Sequence, residues 1–172
     1  MDPATRRLLF GTDEPVEPAL ELTAGPLSVQ LRGIRLLAAH AHGHEVWHGV
    51  AFLYRDTDWG TPEPVLDSVM HEPTPNGFRV LVSAHIPAGP GIDLRIEIEG
   101  DANGRIRYEG AAIARGDVDT NRTGLCLIHP QACAGRRVQV LHADGRHSAS
   151  TFPRLIAPWP PFMSVRGIRH EF

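Results

Sequence analysis

The chain has 172 residues, a formal net charge of −3 and interspersed charges, with every one of its 17 basic side chains an arginine. No basic stripe marks a nucleic-acid surface, and no run approaches the roughly 18–20 apolar residues a membrane helix needs. Met1 to Phe10 is too short in apolar character for a signal peptide, so a cytoplasmic location is expected, and the length suits one domain.

Gly and Pro, 17 and 15 residues, make up nearly a fifth of the chain and argue for many turns and few or no helices. Arginine without lysine, with abundant Ala, Gly and Pro, suggests a bacterial coding bias. Cys126 and Cys133 do not make a secreted disulfide framework; free thiols or one bridge stay open.

In chain order, residues 1–18 read as an extended lead-in, acidic and proline-rich near Asp13–Pro18. Leu20 to Leu22 and Leu27 to Leu31 alternate with period two, and Ile34 to Leu37 resumes after Gly33. Glu45 to Tyr54 is nearly continuous in apolar character, as in a strand buried on both faces. Asp56 to Pro62 reads as a loop. Val65 to Met70 and Phe78 to Ala84 read as strands around a turn at Asn76-Gly77, where positive φ comes at low cost.

The clearest element is a hairpin. Ile92, Leu94, Ile96 and Ile98 alternate with charged residues, the chain turns at 100–104, and Ile106 to Gly110 alternates back. One face is apolar and the other wet. Gly124 to His129, read as a buried strand stopped by Pro130, then Arg137 to His142, a short polar run from Ser148 and an apolar patch at Phe162–Ile168 complete about ten strands. Turns at this spacing predict an all-β, antiparallel β-sandwich over residues 19–172.

Four groups of side chains are candidates for function. His40, His42 and His44 alternate, which on one strand face suits Zn or Cu. Gly43 and the small neighbours favour a loop, and no metal is expected. Asp117 to Gly124 gathers carboxylates, an amide, hydroxyls and a guanidinium, suited to sugar hydroxyls or to an acid held by arginine. A turn capping its own backbone explains the same residues. Arg55, Asp58 and Trp59 have a sugar-binding composition, or plug the end of the sandwich. His129, before Pro130, suits a general acid or base, or a core-edge histidine. There is no nucleophile elbow and no phosphate-cradling glycine loop, so no cofactor is expected.

Certain phrases form a familiar set: Leu9-Phe10-Gly11-Thr12-Asp13-Glu14-Pro15, Gly49 through Thr61, Asp119 through Pro130, Phe152 through Ile156, and Ile168-Arg169-His170-Glu171. Together they resemble the N-terminal region of the D-apionate lactonase family, most specifically in the Asn121-Arg122-Thr123-Gly124 segment. The resemblance implies hydrolytic opening of the lactone of an apiose-derived sugar acid. It also implies a longer protein with a (β/α)-barrel-like region beyond Phe172. The β-region resembles half of a galactose-mutarotase-like supersandwich.

Three functional expectations follow. The chain is a carbohydrate-binding or accessory β-domain working with a barrel domain or partner chain. Or it is a stand-alone lactone hydrolase, with Asp117 or Asp119 as base, His129 as acid or base, and Arg122 as anchor. Or it is an inactive truncated remnant. The expected small-molecule partner is a sugar acid or lactone, with substrate contacts at Arg122, Asn121, Trp59, Arg55 and Asp58. Unpaired sheet edges make a homodimer plausible.

Overall fold

The computed structural model describes residues 1–14, 18–155 and 159–171. Twelve strands are found among them: β1 Leu20–Ala24, β2 Leu27–Arg32, β3 Arg35–Ala41, β4 His44–Arg55, β5 Val65–Thr74, β6 Gly77–Ile86, β7 Ile92–Gly100, β8 Ile106–Ala114, β9 Arg122–Ile128, β10 Arg137–His142, β11 His147–Thr151 and β12 Val165–Arg169. They form three antiparallel sheets, ordered β1-β2-β3-β4-β9, β5-β6-β7-β8 and β11-β10-β12. The expected all-β class and sandwich arrangement are what the structure shows.

Period-two alternation builds the sandwich. Leu22, Ala24, Val29, Leu31, Leu36 and Tyr54 of the five-stranded sheet meet Phe78, Val80, Val82, Ala84, Leu94, Ile96 and Ile98 of the four-stranded sheet in one buried cluster. The intervening residues of β7 face water. Among them Glu97 accepts from Arg79 Nε at 2.9 Å across the strands. A separate, smaller cluster of Cys133, Val138, Val140 and Phe152 supports the three-stranded sheet.

The two large sheets are offset. Directly opposed residues of an antiparallel pair share a face. Val69 of β5 opposes the buried Val82, yet is 45% exposed. Leu125 and Leu127 of β9 oppose Phe52 and Val50 on the inner face, yet are 57% and 48% exposed. Edge strands β5 and β9 therefore carry apolar side chains past the end of the opposite sheet.

Three expectations change. The lead-in holds a helix, α1 (Pro3–Phe10), where an extended chain is expected. Its signals are local: Asp2 Oδ1 accepts from the amides of Ala4 (2.9 Å) and Thr5 (3.1 Å), Pro3 opens the first turn, and Gly11 closes it at φ +76°. It buries no residue, so no apolar stripe announces it. Residues 15–17 of the lead-in lie outside the described residues. Secondly, the loop between β5 and β6 is Pro75-Asn76, and neither Asn76 nor Gly77 has positive φ. Gly77 is required for another reason: a Cβ there would stand 1.9 Å from the carbonyl oxygen of Gly100. Thirdly, the strand expected to be buried on both faces, β4, is central but only half-buried along most of its length. No helix among the described residues is long and apolar enough to cross a membrane.

Candidate functional site

The loop after β4 and the segment before β9 meet at one rim of the five-stranded sheet. Register does this. Arg55, the last residue of β4, pairs with Arg122, the first of β9. Both side chains thus project from one face, opposite to the face of Tyr54, which is buried in the sandwich.

Backbone contacts then fix the two segments. Asn121 donates its amide N–H to Arg55 O (3.0 Å) and its side-chain Nδ2 to Asp56 O (3.0 Å) and Thr57 O (2.7 Å). The Thr120 hydroxyl lies 2.8 Å from Arg55 O and 2.9 Å from Arg122 O. The Tyr54 hydroxyl donates to Asp119 O at 2.7 Å. Inside the loop, Asp56 Oδ1 accepts from the amides of Asp58 (3.0 Å) and Gly60 (2.6 Å). A Cβ on Gly60 would stand 2.4 Å from Asp56 Oδ2, so a side chain there would displace the Asp56 carboxylate from its present position. Arg55 Nη1 donates to Trp59 O (3.2 Å) and Thr61 Oγ1 (3.0 Å).

These contacts leave little polar capacity for a ligand in Asn121, Thr120 and Asp56. The outward-facing groups are the Trp59 ring, 52% exposed, and the Arg122 guanidinium, whose Cζ lies 5.5 Å from the ring centroid. Neither Arg55 nor Arg122 makes an ion pair among the described residues. Asp58, Asp117 and Asp119 are exposed. The adjoining cleft, lined by Phe52, Tyr54, Thr61, Pro62 and others, holds about 60 Å³. A ligand pocket usually needs several hundred. An open trough of about 570 Å³ beside β8, lined by Glu97, Tyr108 and Leu125 among others, includes none of the expected site residues.

His129 is elsewhere. It follows β9, seven residues after Arg122, which is about 23 Å along an extended strand at roughly 3.3 Å per residue. Arg122 and His129 therefore stand at opposite ends of β9, and the rim carboxylates Asp117 and Asp119 belong to the Arg122 end. The acid, base and anchor imagined for a stand-alone hydrolase are not brought together.

What His129 does meet was not anticipated. Its ring lies 4.8 Å from Phe152 and 5.2 Å from His170. Cys133 Sγ is 3.9 Å from His170 Nδ1. Burial lowers the His129 and His170 imidazoles and raises the buried Cys133 thiol. His40, His42 and His44, by contrast, straddle the tight β3–β4 hairpin, with His42 (φ +49°) and Gly43 (φ +80°) as its two turn residues. They share no strand face: His40 lies in β3 and His44 in β4, where a loop is expected, and only His42 and Gly43 lie outside the strands.

A family model described as D-apionate lactonase, N-terminal domain, matches residues 7–172. D-apionate lactonase of Brucella anthropi is 35% identical over 167 residues, which cover 95% of this chain and 27% of that protein. The chain thus spans about a quarter of that relative's length. No solved structure matches.

Proposed function

This chain belongs to the D-apionate lactonase N-terminal domain family, and from that premise we propose that it is an accessory β-domain of a larger lactone-opening enzyme. In this reading its rim offers a sugar acid one cationic contact, and the ring-opening groups lie in another part of the protein. The observation that carries the proposal is the separation along β9: opening an ester needs an activated water and a stabilised oxyanion at one point. Arg122 and His129 stand a strand's length apart.

The contact itself has a simple physical basis. A guanidinium stacked on an indole keeps its N–H edges available for a carboxylate, which it can bind bidentately. Arg55, on the same face, adds a second positive charge. Asn121 serves as a strut that locks the loop, and Asp58 remains a solvated turn residue. With a shallow rim and no enclosing wall, affinity for a free sugar acid is weak, in the millimolar range.

The test uses the 172-residue chain with an apiose-derived aldonolactone and the corresponding acid. No turnover above buffer is expected. Calorimetry with the acid at millimolar concentration is expected to show binding that Arg122→Ala weakens about tenfold or more, as for a lost charge-assisted hydrogen bond. Lactone opening by the isolated chain would overturn the accessory reading. Binding unchanged in Arg122→Ala would overturn the rim assignment.

A further inference from the structure

We propose that His129, Cys133 and His170 form a binding site for a divalent transition-metal ion of the zinc class, at the junction between the sandwich and the small sheet. The proposal is independent of the accessory reading.

The three residues come from three segments. His129 follows β9, Cys133 ends the short 3-10 turn Gln131–Cys133, and His170 follows β12. Each contributes one ligand atom, and these atoms lie within 4.8 Å of one another. Zinc bonds of about 2.0–2.1 Å to nitrogen and 2.3 Å to sulfur place tetrahedral ligands roughly 3.3–3.7 Å apart. The Cys133–His170 separation of 3.9 Å is already near that value. The widest pair needs to close by about 1 Å, within the reach of small rotations of the side chains.

The donor chemistry selects the ion. Two imidazoles and one thiolate suit zinc, cobalt or copper, and the absence of carboxylates from the trio disfavours calcium and magnesium. Local packing gives a second argument. His129 Nδ1 is buried and has no hydrogen-bond partner among the described residues. Leaving a buried nitrogen unsatisfied is unfavourable, and such groups call for an explanation. Ring packing alone accounts for Phe152, whose ring lies 4.8 Å from His129 and 5.3 Å from His170. It does not account for a thiol within 4.8 Å of both imidazoles. Phe152 would form the dry wall of the site, and three protein ligands leave a fourth coordination position for water.

Binding requires the Cys133 thiol to lose its proton to solvent as the metal–sulfur bond forms. The ion then ties His170, after β12, to Cys133, 37 residues earlier in the short turn that follows β9.

The test is a Co²⁺ titration of the chelator-treated 172-residue chain, followed by competition with Zn²⁺. One equivalent of Co²⁺ is expected to bind, with the near-ultraviolet thiolate charge-transfer band and the visible bands of four-coordinate cobalt, and Zn²⁺ is expected to displace it. Cys133→Ser should abolish the charge-transfer band, whereas Cys126→Ser should keep it. His170→Gln should weaken binding about tenfold or more while leaving the β-sheet circular dichroism unchanged, which keeps the test decisive if Cys133→Ser does not fold. Octahedral cobalt without a thiolate band, a band that survives in Cys133→Ser, or undiminished affinity in His170→Gln would overturn the site.

Discussion

Trp59 holds its backbone at φ +64°, a region that costs a bulky residue roughly 1–2 kcal/mol, and its ring is used on Arg122 and not in the core. Trp59→Gly relieves that strain but gives up chain entropy of about 0.5–1 kcal/mol and a cation–π contact of about 0.5–1 kcal/mol. We expect the variant to change folding stability by less than about 1 kcal/mol in urea denaturation while losing most of the sugar-acid heat. A large loss of stability would instead make Trp59 a structural plug. At this scale the sequence was partly readable. Composition marked Arg55, Asp58, Trp59, Asn121 and Arg122 as candidates, because a short polar run between strands has few ways to be buried, and all five lie in the two segments that meet at the rim. That Arg55 opposes Arg122, and that Asn121 bonds to Asp56 and Thr57, depends on a register between segments 65 residues apart. His170 shows the limit more sharply: nothing near it in the chain predicts that it meets Cys133.

Strand β7 and the first half of β8 were legible because Ile92–Glu99 and Ile106–Glu109 alternate apolar and charged residues; the rest of β8, Gly110–Ala114, is small and apolar and carries no such signal. β5 and β9 were legible as strands, but their environment was not, since an edge that overhangs its partner sheet has the same pattern as one that is covered. The inward-facing side chains therefore give a direct test of the offset. Leu94→Ala in β7, at a side chain 3% exposed, is expected to cost about 2–5 kcal/mol. Leu127→Ala in β9, facing inward but 48% exposed, is expected to cost less than about 1 kcal/mol. Equal costs in chemical denaturation would mean that the two sheets overlap more fully than described. Helix α1 escaped the apolar pattern for a related reason: it is specified by its Asp2 cap, Pro3 and Gly11 alone, and buries nothing.

For the molecule as a whole, the two large sheets share one core, while the three-stranded sheet has its own small cluster around Val140 and Phe152. The rim of Arg55, Trp59 and Arg122 lies at one end of β9, and the His129–Cys133–His170 trio at the other. The chain spans 27% of the D-apionate lactonase of Brucella anthropi. The most direct test is a nuclear magnetic resonance titration of the labelled 172-residue chain with an apiose-derived sugar acid. The account predicts saturable shifts of the Trp59 indole N–H and the Arg122 Nε–H, with His129 and His170 unmoved. An unperturbed rim, or shifts centred on His129, would contradict it.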